Sequence, residues 1–115
     1  MIQHLDKSSF DTTVNTNDVV LVDFFADWCG PCTALHPALE ELAKDFDGKA
    51  IISKINVDKN PELAAQFKVP SIPALFYFKN GAIVGTHNGV QSKSEMTTRL
   101  TNMIKSEGDG EKNKH

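Results

Sequence analysis

The chain has 115 residues, 40% of them hydrophobic and 23% charged, with a net charge of −3 from 12 basic and 15 acidic side chains. That is the size of one ordinary globular domain, able to bury about two-thirds of its unfolded surface without a covalent staple. The charge balance offers no basic stripe for nucleic acid, and no apolar run approaches the ~20 residues of a membrane span.

Residues 1–7, MIQHLDK, carry no apolar signal core. A cytosolic location is therefore expected, where thiols stay reduced and a C-x-x-C pair is more often catalytic or metal-binding than structural. A first helix is predicted over 8–15, with Phe10 and Val14 on one face. Residues 19–26, VVLVDFFA, are β-branched and aromatic and apolar on both alternating faces. That is the pattern of a central strand covered on both sides, and Asp23 is the one charge in it. A long helix starts around 29–31, with Leu35, Leu39, Leu42 and Phe46 as its apolar stripe and Pro37 as a kink.

Further strands are predicted over 50–57 and 74–78. Asn60-Pro61 reads as an N-cap and first-turn proline for a short helix through Phe67. Asn80-Gly81 is a hairpin signal leading into Ala82, Ile83 and Val84. Ser92 and Glu95 form a capping box for a last helix with Met96, Leu100, Met103 and Ile104 on its inner face. The order is β-α-β-α-β-α-β-β-α, an α/β domain over 1–105 with a mainly parallel centre, an antiparallel hairpin and helices on both faces. Residues 106–115 contain no apolar side chain and are expected to form a polar, disordered tail.

Both cysteines lie in residues 27–37, DWCGPCTALHP. A staple across so small a loop restricts the unfolded chain little. A structural zinc site wants four ligands. His36 follows Cys32 by one helical turn, but His4, His87 and His115 are scattered, so no metal is assigned. The ordinary reading of His36 is a partly exposed helix residue. A redox pair fits best. Cys29 ends a strand-to-helix turn, where unpaired N–H groups and the macrodipole favour the thiolate. Cys32 lies one turn further in, on the same side, placed to attack a mixed disulfide from within. Pro31 suits the first turn, and Gly30 permits the tight approach.

The W-C-G-P-C motif after an apolar strand resembles the thioredoxin family. The resemblance extends in order through Val22-Asp23-Phe24, Pro37, residues 54–58 (KINVD), Ser71-Ile72-Pro73, Lys79-Asn80-Gly81 and Gly89, covering residues 1–105. It implies the thioredoxin fold, a mixed five-stranded sheet flanked by four helices. It also implies that Cys29 is the nucleophile and Cys32 the resolving thiol, with Gly30 and Pro31 setting the motif's geometry. Trp28, Ile72, a cis Pro73 and Gly89, with Gly30 and Pro31, would form a flat apolar surface for a substrate's extended segment. Asp23 would lie beneath Cys32 with Lys54 nearby.

The sequence bears on Asp23 independently, because burial in an apolar strand raises a carboxyl's pKa and fits it to accept a proton from Cys32. The plainer reading is a structural Asp held by Lys54, and the two are compatible. Thr33, Phe25, Pro70 and Ala74 stand where relatives often carry a basic residue, a second tryptophan, a charged residue and a threonine. These are expected to affect partner choice.

The family resemblance implies a monomeric protein-disulfide reductant with no bound cofactor. It would draw electrons from NADPH through thioredoxin reductase, a flavoprotein, and pass them to disulfide-containing target proteins of reductase and peroxidase type. An oxidase or isomerase on the same fold is the nearest rival, set against by Gly-Pro between the cysteines. A binding module with incidental thiols is the rival of another class.

Overall fold

The structure is a computed structural model; it describes the backbone of residues 1–113 and the side chains of residues 1–106. Nine elements follow one another: β1 (Gln3–His4), α1 (Lys7–Thr16), β2 (Val19–Phe25), α2 (Gly30–Asp45), β3 (Ile51–Asn56), α3 (Pro61–Gln66), β4 (Ala74–Lys79), β5 (Ala82–Asn88) and α4 (Lys93–Asn113). The order is the one read from the sequence. α4 runs into the stretch expected to be a tail, but side chains from 107 on and residues 114–115 lie outside the described residues.

The sheet order is β1-β3-β2-β4-β5. β3 runs parallel to both β1 and β2, while β4 pairs antiparallel with β2 and with β5. β2 is thus central, and its side chains alternate between two cores. Leu21, with Ile52, Leu75 and Tyr77 of neighbouring strands, packs on Leu35, Leu39 and Leu42 of α2 and on Met96 and Leu100 of α4. Val20, Val22 and Phe24, with Ile55, Phe76 and Phe78, pack on Phe10 and Val14 of α1 and Leu63 of α3. Each fully buried leucine contributes about 1.5–3 kcal/mol relative to an exposed one. The same alternation turns Asp23 to the α2 side, because it follows Leu21 by two.

The helix starts are held by side chains. Asp6 accepts from the backbone N–H of Ser8 at 2.9 Å and Ser9 at 3.0 Å, while the Asp6 N–H donates to Ser9 Oγ at 3.0 Å. At α4, Glu95 N–H donates to Ser92 Oγ at 3.1 Å and Ser92 N–H to Glu95 Oε1 at 3.3 Å. Asn60 occupies the N-cap of α3 but does not cap with its side chain; its amide donates instead to the Asn56 carbonyl at 3.1 Å. In the β4–β5 hairpin Asn80 and Gly81 have φ of 53° and 85°, both positive, as a turn matching the strands' right-handed twist requires.

Candidate active site

The chain leaves the carboxyl end of β2, turns through Ala26–Trp28 and enters α2 at its N-cap, Cys29. The Cys29 N–H donates to the Ala26 carbonyl at 3.2 Å, closing the turn. The Cys32 N–H, one of the groups a helix start leaves unpaired, donates to Cys29 Sγ at 3.2 Å. Cys29 and Cys32 are joined as a disulfide with Cα atoms 5.3 Å apart. Cys29 is 4% exposed and Cys32 1%, so Cys29 is the slightly more accessible residue of the pair. Gly30 and Pro31 are exposed. A Cβ on Gly30 would meet nothing within 4 Å, so the turn itself does not demand glycine.

Around the sulfurs lies a small apolar collar. Ala26, Ile72, Val57 and Phe25 pack with the two cysteines. The Ile72–Pro73 peptide is cis, and the Pro73 carbonyl accepts from Gly89 N–H at 2.7 Å, which ties two of the expected surface residues together. Trp28 is 72% exposed, and its Nε1–H donates to Asp58 Oδ2 at 2.8 Å. The indole is therefore an outward-facing plate held at one edge, not core packing. The sequence carries no signal for this role of Asp58, because no local spacing links it to a tryptophan 30 residues away.

Asp23 is fully buried, and among the described residues neither carboxylate oxygen has a hydrogen-bond partner. Burial pushes its pKa from the ordinary 3.8 up to about 7, and the positive charge of Lys54 offsets part of that rise. Lys54 is opposite Asp23 in the β2–β3 register and is itself 5% exposed. Its ammonium does not grip the carboxylate. It donates to His36 Nδ1 at 3.1 Å and lies 4.2 Å from the centre of the Phe25 ring. A hollow of about 380 Å³, lined by Phe25, Ala26, Cys32, His36 and Lys54, opens at this point. The structure thus brings Cys29, Cys32, Asp23 and Lys54 to the α2 side of β2, with Trp28, Ile72, Pro73 and Gly89 at the rim.

Two thiols closing to one disulfide is a two-electron oxidation whose electrons can pass to another disulfide by exchange, and a chain built around such a pair is a thiol–disulfide oxidoreductase. Among the described residues no three His, Cys, Asp or Glu side chains are grouped to hold a metal. The family model described as Thioredoxin matches residues 1–102, and the chain belongs to the thioredoxin family, whose members exchange protein disulfides and need no bound cofactor. It is 52% identical over 99 residues to a thioredoxin of Staphylococcus haemolyticus, covering 86% of this chain and 94% of that one. It is 45% identical over 92 residues to a thioredoxin of Buchnera aphidicola, covering 80% and 84%. Among solved structures it is similar to a mutant thioredoxin of Halobacterium salinarum, with a TM-score of 0.83, 35% identity and 90% of both chains covered.

Proposed function

We propose that this chain runs its thiol–disulfide chemistry as a reductant of other proteins' disulfides. In the reduced state the Cys29 thiolate attacks one sulfur of a target disulfide. A Cys29–target disulfide forms, and the target's other sulfur leaves as a thiolate that takes a proton. Cys32 then passes its proton towards Asp23 and attacks Cys29 Sγ, and the second target sulfur departs as a thiolate that takes a proton in its turn, from Asp23 or from water. The target has gained two electrons and two protons, and the Cys29–Cys32 disulfide remains. The observation that supports this best is Cys29 Sγ at the start of α2, where the Cys32 N–H points at it. The same donor favours a thiolate once the disulfide opens.

Asp23 serves as the proton acceptor, and Lys54 moderates its charge. The exposed ring of Trp28, with Gly30, Pro31, Ile72, Pro73 and Gly89, makes a shallow face for an extended segment of the target. The dithiol is regenerated by an NADPH-dependent thioredoxin reductase, and targets include disulfide-bearing reductases and peroxidases. The chain acts as a monomer in the cytoplasm. Among the described residues no helix is long and apolar enough to cross a membrane.

The test is stoichiometric. Pre-reduced protein, freed of small thiols, is mixed with a disulfide-bonded substrate protein, and released thiols are counted. Two substrate thiols per chain, and none from Cys29→Ser, are expected. Retention of the dithiol beside an intact substrate disulfide would move the reading to an oxidase or a binding module.

A further inference from the structure

Strand pairing puts Lys54 directly opposite Asp23, on the same face of adjacent parallel strands. Neighbouring strands lie about 4.8 Å apart, well within the reach of a lysine stem. An ion pair would be the simplest outcome for two buried opposite charges. Yet both Asp23 oxygens are without a hydrogen bond, while the Lys54 ammonium donates to His36 Nδ1 at 3.1 Å. The His36 ring is held in turn: its Nε2 lies 3.4 Å from Glu40 Oε2, one helical turn along α2. With the proton on Nε2, the imidazole faces Glu40 with its N–H and leaves Nδ1 to accept from Lys54.

We propose that His36 is a positioning residue for the buried carboxyl: by accepting from Lys54 it holds the ammonium off Asp23. Phe25 supports the same placement through its ring face. Cys32, His36 and Lys54 line one hollow, so the position of the ammonium is felt where the resolving thiol works. The other titratable groups that share a hollow with Lys54 are His4, Asp6 and Lys59 on its far side and Asp27, which lines both hollows. The inference deepens the role given to Asp23 above and rests on that reading for its functional meaning. Its physical content is separate: the proton affinity of Asp23 depends on an imidazole that does not touch it.

The experiment is a carbon-detected NMR titration of the Asp23 carboxyl in the oxidised protein, for the parent chain, His36→Ala and His36→Asn. No turnover is involved, so the result stands apart from whether Asp23 takes the Cys32 proton. Without the imidazole the ammonium turns towards Asp23, its partner in the strand register, and the His36→Ala midpoint falls by about one pH unit. Asparagine places Oδ1 close to where Nδ1 sits, so His36→Asn keeps the parent midpoint. In a Lys54→Met background, His36→Ala produces no further change, because the effect passes through the lysine. A midpoint in His36→Ala that stays or rises, or a fall that persists without Lys54, overturns the proposal. His36 is only half-buried, and far-UV circular dichroism verifies that each variant is folded.

Discussion

Replacing Asp23 by asparagine removes a proton-binding group that the folded and unfolded chains hold differently. The fold raises its pKa from 3.8 to about 7 by burial. Between those values the folded state keeps a proton that the unfolded chain has already lost. Stability therefore falls as pH rises through that window, and the loss is complete above the folded value. At about 1.4 kcal/mol per pH unit, the rise amounts to about 4 kcal/mol. Asparagine has nearly the same shape and cannot ionise. Its amide, with no partner at this site, brings a pH-independent cost of about 1–3 kcal/mol. The difference between variant and parent must thus be followed across pH, not at one point. Equilibrium unfolding of the oxidised proteins in guanidinium, from about pH 4 to about pH 8, gives that difference. The variant gains on the parent by about 4 kcal/mol over the range. Two parallel stability curves would refute the claim that burial raises the proton affinity of Asp23 beyond what Lys54 offsets.

Other outcomes can be checked on the same material. Cys32→Ser halts exchange at the first step and accumulates a Cys29–target adduct, visible on a non-reducing gel and by mass; Cys29→Ser forms none. Gly81→Ala forces a side chain into φ of +85° and against Asn15 Oδ1, 2.6 Å from the new Cβ. It loses about 1–2 kcal/mol or more in chemical denaturation. Leu39→Ala opens a cavity between α2 and the sheet at a fully buried position and loses about 2–5 kcal/mol, while the released thiols per chain stay at two.

Periodicity made most of the architecture legible. Asp23 stood out because a charge interrupts an apolar run, and the cysteines because Gly-Pro separates them in a W-C-G-P-C motif. What escaped the sequence was decided by distant partners. The first strand stood in the order read from the sequence but had no residues assigned, because β1 is two exposed residues, too short for a pattern; Gln3 and His4 are placed by pairing with Ser53 and Lys54. β5 extends to Asn88, beyond its apolar start, because β4 supplies paired backbone as far as Ala74. The capping box of α1 uses Ser9 where glutamate or glutamine is the usual signal. Lys54 was expected beside Asp23, but its hydrogen bond to His36, 18 residues away, follows from how α2 lies across the sheet.

The reading as a protein-disulfide reductant is tested most directly by the reduction potential of the Cys29–Cys32 couple, measured by equilibration against a dithiol buffer. Thioredoxin holds about −270 mV and protein disulfide isomerase about −180 mV. A potential close to the first is the result expected here. A potential close to the second would make the pair an oxidant or isomerase, and the direction of electron flow set out above would be wrong.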